Sequence, residues 1–455
     1  MPGKSTFTNL LENQERILEA LEEGAPMVHG IYLDLKRAFD RCPFKLLIIR
    51  LKKAGITGKL LKYIYNFLRN RTFRVIANGS ISEGRPVLSG TPQGSGLSPV
   101  IFAVFIQSLA ERLDAWIEEL EKRGSEKVGG AKDIAHRIFY SMYADDVKMM
   151  AAIGDEEDME IMQEVMELVY RWADENGMIF SHGKTKCIKI GREGVIGQYT
   201  GAEGEELEWE ESLRDLGVII GNDGTMAPNV EEVIRKVQKT SYWIMRSFQN
   251  RTPNFMRFMW RTYISPLYEY CGPLYFPNTY GAIDALESGM RSFMKQIPML
   301  YDVHMWDKLK IMNLSSVQRR NERYHIIAYW KIINGYMYGS EKFQVKESRK
   351  GTVAVYPLCP RGADKWVKNL RLNSFHYKGC RLYNSTPRWV RDIKGGSVES
   401  FKKTLNKYLA HVPDRPRDVS GNNYPEAYDT IAQTPSNSLI YWGALLRNIR
   451  PGWGW

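Results

Sequence analysis

Three carboxylates could do chemistry together. Asp34 closes the β-prone run Val28-His29-Gly30-Ile31-Tyr32-Leu33, and the pair Asp145-Asp146 joins two more strand-like runs, residues 137–143 and 147–152. An isolated Asp-Asp is most often a plain turn. A carboxylate at a strand end is different, because a rigid edge presents its side chain outward at a fixed place. If the three runs pair in one antiparallel sheet, the three carboxylates meet. Hard divalent cations such as Mg²⁺ take oxygen ligands and leave room for water and phosphate oxygens. Three carboxylates can hold two such ions at the spacing that in-line phosphoryl transfer needs.

The elements that must position these residues are legible around them. Residues 5–23 place Leu10, Leu11, Ile17, Leu18 and Leu21 at helical spacing, predicting an amphipathic helix that Gly24-Ala25-Pro26 ends. A helical stretch runs from Pro43 to Lys53. Residues 72–88 predict a hairpin, with 74–77 and 84–87 flanking the turn dipeptide Asn78-Gly79. Residues 155–177 predict an acidic helix with Met159, Met162, Met166 and Val169 as its core stripe. Beyond Gly221 the texture changes to helices rich in aromatic and basic residues, so a boundary is expected near 222–229.

Composition narrows the classes. The chain has 455 residues, too many for one compact core, which predicts several domains. Its 63 Lys+Arg against 52 Asp+Glu give +11, a balance that favours a polyanionic partner. The five cysteines, Cys42, Cys187, Cys271, Cys359 and Cys380, form no C-x-x-C pair and have no His at zinc spacing, which reads as buried thiols in a reducing compartment. No run approaches the length of a membrane span and the first residues lack the apolar core of a signal peptide. The expectation is a soluble, intracellular protein.

Several motifs, in order, carry a family resemblance. Tyr143-Ala144-Asp145-Asp146 resembles the Y-x-D-D signature of reverse transcriptases, and Asp34-Leu35-Lys36-Arg37-Ala38-Phe39-Asp40 resembles the D-x-x-x-A-F-D motif of LINE-type enzymes. Ser89-Gly90-Thr91-Pro92-Gln93-Gly94-Ser95-Gly96-Leu97-Ser98-Pro99 is similar to their Pro-Gln-Gly loop and helix start. Further matches are Trp172-Ala173-Asp174-Glu175-Asn176-Gly177-Met178 with Lys184-Thr185, Leu213-Arg214-Asp215-Leu216-Gly217-Val218, and the opening GKSTFTNLL, together covering about residues 3–221. The whole resembles the reverse transcriptases of non-LTR, jockey-like retrotransposons. One departure is Ser181, where the family pattern has Asn three residues before the motif Lys. The family's basic fingers motifs are not found upstream of GKSTFTNLL, so the chain reads as an N-terminally cut piece of a longer polyprotein.

What the resemblance implies is an RNA-directed DNA polymerase working with two Mg²⁺ ions, or Mn²⁺, held by Asp34, Asp145 and Asp146. Its partners would be an RNA template, a DNA primer or RNA/DNA hybrid, and dNTPs, and its place in the cell the nucleus. Phe39 would sit under the incoming sugar and exclude a ribose 2′-oxygen. Gln93, Gly94 and Tyr143 would face the nucleotide and template, and Lys184 would approach the pyrophosphate leaving group. The implied fold is α+β: a right-hand polymerase palm, an antiparallel sheet backed by helices, followed by a helical thumb and a basic C-terminal region. In residue terms these are a reverse transcriptase domain over 1–221, a thumb over 222–300 and the basic region over 301–455. Residues 233–263 interleave Arg and Lys with seven aromatics, most of them expected to pack the thumb's core. A basic run over 361–407 reads equally as a second nucleic-acid surface or a solvated face. Two alternatives stand beside this reading: a non-catalytic nucleic-acid-binding relic of such an enzyme, and a nucleotide cyclase, which shares the sheet and metal logic but needs neither the Pro-Gln-Gly loop nor the basic tail.

Overall fold

A computed structural model describes residues 3–126, 138–191, 197–339, 343–348, 351–357, 359–393, 396–412, 414 and 431. The chain forms two compact units, one of Glu23–Leu213 and one of Met1–Glu22 together with Arg214–Trp455. The fold is mixed α+β.

Helix α1 (Thr6–Glu22) opens the chain. Strand β1 (Met27–Asp34) follows, then α2 (Phe44–Lys53), α3 (Gly58–Leu68) and the long α4 (Ser98–Glu126). Strands β2 (Ile138–Tyr143) and β3 (Asp146–Ile153) form a hairpin, followed by α5 (Glu156–Glu175), β4 (Lys186–Gly191) and the two-residue β5 (Trp209–Glu210). The sheet order is β2-β3-β1-β4-β5, antiparallel throughout except that β4 and β5 run parallel. The expected all-antiparallel sheet is therefore mixed at one edge.

The central strands are buried on both faces, Val28, Met150, Ala152, Ile188 and Ile190 on one and a larger cluster on the other. Met27, Ile31 and Leu33 of β1 and Val147, Met149, Ala151 and Ile153 of β3 enter one core cluster. Phe102, Phe105 and Leu109 of α4 and Met162, Met166 and Val169 of α5 complete it, so the predicted methionine stripe is core. Burying a side chain of this size contributes about 1.5–3 kcal/mol. The register that seats Leu33 and Val147 inside puts their neighbours Asp34 and Asp146 on the other face, and a slip of one residue would reverse both.

One cation ties α2 and α4 to the C-terminal end of α5. The Arg50 guanidinium donates to the Phe105 carbonyl and the Asn176 amide oxygen, and lies 4.2 Å from the Phe105 ring centroid. The hairpin over 72–86 differs in detail from its prediction: Asn78-Gly79 is the turn, but the strands beside it are Ile76–Ala77 and Ser80–Ile81, while Thr72–Phe73 pairs with Arg85–Pro86. Every residue from 72 to 86 is exposed, so no burial extends these ladders.

In the second unit, β6 (Ser212–Asp215) and β7 (Val218–Gly221) make a hairpin, and α6 (Ala227–Ser247), α7 (Tyr280–Lys295), α8 (Val317–Ile333), α9 (Lys365–Asn373), α10 (Phe375–Ser385) and α11 (Val398–Leu409) supply most of the rest. Helix α1, read from the sequence with the first 221 residues, packs here on α9. The Arg371 guanidinium of α9 donates to Glu15 at 2.6 Å and to Glu22 at 2.7 and 2.8 Å, with Arg371 and Glu15 almost fully buried. Burial alone would push the Glu15 carboxyl up; His376, 3.7 Å away, and the Arg371 guanidinium outweigh that and hold it below the usual range.

One expectation for the 233–263 segment is overturned. Of its seven aromatics only Trp260 is buried; Phe248 and Phe255 are half-buried, and Tyr242, Trp243, Phe258 and Tyr263 are exposed. For Tyr242 and Trp243 the reason is the face that α6 buries, which is aliphatic: Val230, Val233, Val237 and Ile244 recur at helical spacing; Phe258 and Tyr263 lie on the helices that follow. Among the described residues no helix is long and apolar enough to cross a membrane. All five cysteines are free, four of them buried.

Candidate functional site

Asp34 and Asp146 are direct cross-strand partners in the β1–β3 ladder. Residues so opposed project from the same face of a sheet, a few ångströms apart. Asp145 belongs to the adjoining two-residue turn with Ala144, whose φ of +54° is the positive value that a tight hairpin requires. Tyr143 pairs with Asp146 across that turn and is exposed.

Two like charges opposed on adjacent strands are unfavourable. Lys184 offsets them: its Nζ donates to Asp34 Oδ2 at 2.9 Å. The hydrogen bond with Asp34, then the charges of Asp34, Asp145 and Asp146, hold the ammonium above its ordinary pKa. Lys184 is delivered by a single 3₁₀ turn, His182–Lys184, whose anchor is the residue that departs from the family pattern. The Ser181 amide donates to the Asp34 carbonyl at 2.9 Å, and the Ser181 carbonyl accepts from the amides of Lys184 and Thr185. Backbone groups make these bonds, so they do not depend on which side chain stands at position 181.

Metal ligation can be tested against this arrangement. Among the described residues no group of three or more His, Cys, Asp or Glu side chains converges closely enough to hold an ion. By chemistry the donors fit a hard divalent cation, since all three are carboxylates at one end of one sheet. Asp34 is engaged by Lys184 instead.

Phe39 follows β1 on a single helical turn, Ala38–Arg41. Its ring packs on Phe102 with centroids 4.6 Å apart, and it is half-buried, one part serving the core and the rest open. Gln93 is exposed and its Nε2 donates to Asp40 Oδ1 at 3.2 Å. Gly94 has φ +84° and open space where a Cβ would be, so positive φ and access, rather than internal packing, call for glycine there. Asp40, Arg71 and Gly90 also shape this site and were given no role from the sequence. Asp40 and Gly90 stood in quoted motifs, and their contacts, like those of Arg71, arise only on folding.

Residues 1–220 match the family model described as reverse transcriptase (RNA-dependent DNA polymerase). That segment belongs to the reverse transcriptase family. Its relatives include the RNA-directed DNA polymerase from mobile element jockey of Drosophila melanogaster, 25% identical over 240 residues, which is 50% of this chain and 24% of that protein. A probable RNA-directed DNA polymerase from transposon BS of the same species is 22% identical over 59% of this chain and 28% of its own length. The reverse transcriptase segment is thus distantly related to jockey-like enzymes of non-LTR retrotransposons, and the chain spans about a quarter of the length of these curated relatives. A telomerase from Candida albicans solved with a fragment of telomeric RNA aligns over 71% of this chain and 53% of its own, at 10% identity and a TM-score of 0.32, a likeness too slight to build on.

Proposed function

We propose that the chain is an RNA-directed DNA polymerase that joins dNTPs to a primer 3′-hydroxyl on an RNA template. The observation that carries this reading is the opposition of Asp34 and Asp146 across β1 and β3 with Asp145 in the adjoining turn, inside a reverse transcriptase segment. A cross-strand carboxylate pair costs stability and is kept where chemistry uses it. The mixed sheet with α4 and α5 behind it serves as the palm, and the helical unit beginning at α6 as the thumb. The exposed Tyr242, Trp243, Phe258 and Tyr263, interleaved with Lys239, Arg246 and Arg257, fit a nucleic-acid partner, cations for phosphates and rings for sugars and bases.

Asp34, Asp145 and Asp146 would hold two Mg²⁺ ions, which when bound supply the charge that lowers the proton affinity of the attacking oxygen and offsets charge on the triphosphate. Lys184, kept protonated beside Asp34, stands ready to donate a proton or a positive charge to a departing pyrophosphate. The open side of Phe39 would meet the sugar, and Gln93 and Gly94 the base pair. A second reading, a nucleic-acid-binding relic without catalysis, is favoured by one observation: Asp34 is bonded to Lys184 and the carboxylates do not converge.

Primer extension on poly(rA)/oligo(dT) with dTTP and Mg²⁺ decides between them. Incorporation by the wild-type chain, lost in Asp145→Asn and Asp34→Asn while both variants stay folded, is the expected result. Wild-type-like extension by Asp145→Asn would refute the assignment of the carboxylates. Hybrid binding without any incorporation would leave the relic.

A further inference from the structure

The loop over 89–93 and the turn carrying Phe39 are joined by several hydrogen bonds. The Gly90 amide donates to the Cys42 carbonyl at 2.8 Å and the Thr91 amide to the Phe39 carbonyl at 2.7 Å. The Ser89 hydroxyl donates to the Asp40 carbonyl at 2.7 Å. Contact is backbone to backbone: a Cβ on Gly90, which has φ +81°, would lie 2.5 Å from the Asp40 Cα and carbonyl oxygen, so only glycine lets the loop close down.

Side chains close the remaining sides. The Asp40 carboxylate accepts from the Gln93 amide. Arg71 donates from Nη2 to the Gly90 carbonyl at 2.6 Å and from Nε to the Leu68 carbonyl at 2.9 Å. Burial disfavours the Arg71 charge and the Asp40 carboxylate acts against that, so one carboxylate serves both the amide and the guanidinium.

We infer that Asp40 is a positioning residue that clasps the 89–93 loop to the turn bearing Phe39, so that the ring facing the sugar and the amide facing the base pair are held in one fixed relation. This rests on the polymerase reading for its consequence, though the clasp itself is a property of the fold. Gln93 has no other side-chain partner among the described residues, and a free glutamine samples many rotamers whose ordering costs conformational entropy. The Asp40 bond removes much of that cost before a substrate arrives. Loss of the clasp therefore weakens nucleotide binding more than it slows the step that follows.

The test uses the full chain as Asp40→Ala, Asp40→Asn, Gln93→Ala and the Asp40→Ala/Gln93→Ala double variant, with two readouts. The first is amide hydrogen exchange at Gly90 and Thr91. An exposed hydrogen bond is worth a factor of about two to ten, so Asp40→Ala should speed exchange there by that much and leave β1 and β3 unchanged, while Asp40→Asn, which keeps the acceptor oxygen, should restore most of the protection. The second is dNTP kinetics on an RNA/DNA hybrid. Asp40→Ala should raise the dNTP KM about three- to tenfold with kcat within about twofold, and Gln93→Ala should add nothing further in the Asp40→Ala background. Unchanged exchange at Gly90 and Thr91 in Asp40→Ala, or fully additive effects in the double variant, would overturn the inference. If the wild-type chain incorporates no dNTP, the polymerase reading fails, and exchange alone still decides the clasp.

Discussion

Asp146→Asn should stabilise the unit formed by Glu23–Leu213 while abolishing incorporation. Asp34 and Asp146 face one another across antiparallel strands, where a like-charge pair costs roughly what an opposite-charge pair contributes, about 0.2–1 kcal/mol. Lys184 offsets only part of it, because its side chain is 66% exposed and water screens the bond to Asp34. Asparagine keeps the shape and one acceptor oxygen of Asp146 but removes the charge. For a unit of this size, 1 kcal/mol corresponds to about 2–4 °C, so the melting temperature should rise by about 0.4–4 °C. Differential scanning calorimetry at low ionic strength reads this directly. Raising the salt to about 1 M shortens the Debye length to about 3 Å and should shrink the gain. In a Lys184→Ala background the gain should be larger, since the opposed carboxylates have then lost their counter-charge. A lower melting temperature for Asp146→Asn, or a gain indifferent to both salt and Lys184, would show that repulsion is not what the pair stores.

Phe39→Val should raise rNTP use relative to dNTP about tenfold, some 1.4 kcal/mol of lost discrimination, measured in paired extension assays; an unchanged ratio would leave Phe39 as the partner of Phe102 alone. Arg371→Met should destabilise the unit containing α1 by about 3–5 kcal/mol in urea denaturation, because Glu15 is left charged and buried; a loss under about 1 kcal/mol would refute the role of this pair. Since the folded-state pKa of Glu15 is depressed, the contribution of that pair is present above the unfolded value near 4.5 and is lost as pH falls through the folded one. Glu287 behaves oppositely: burial pushes its carboxyl up to about 8, so the folded chain holds a proton that the unfolded chain releases near 4.5. Stability should fall as pH rises between those values, by no more than about 5 kcal/mol, and level off above; Glu287→Gln should flatten the profile, and an unchanged slope between pH 5 and 8 would refute it.

Local chemistry determined much of this protein from sequence alone. The run ending in Asp34, the amphipathic period of Thr6–Glu22, the methionine stripe of α5 and the turn at Asn78-Gly79 are decided by neighbours within a few residues, and the ordered motifs up to Gly221 identified the family. Pairing partners are not local: the sequence suggested that the three runs share one sheet but not their order or register. Only the register of β1 against β3 opposes Asp34 to Asp146, and it is set by which alternate residues the core accepts. Only packing joins Glu15 to Arg371, residues 356 apart, and so takes α1 out of the segment its motifs assign it to. The exposed aromatics of α6 were misjudged for a related reason: composition counts rings, but the face a helix buries depends on what packs against it. Lys184 beside Asp34, and Gly90 against Asp40, likewise arise where backbones meet, a distance that side-chain types do not encode.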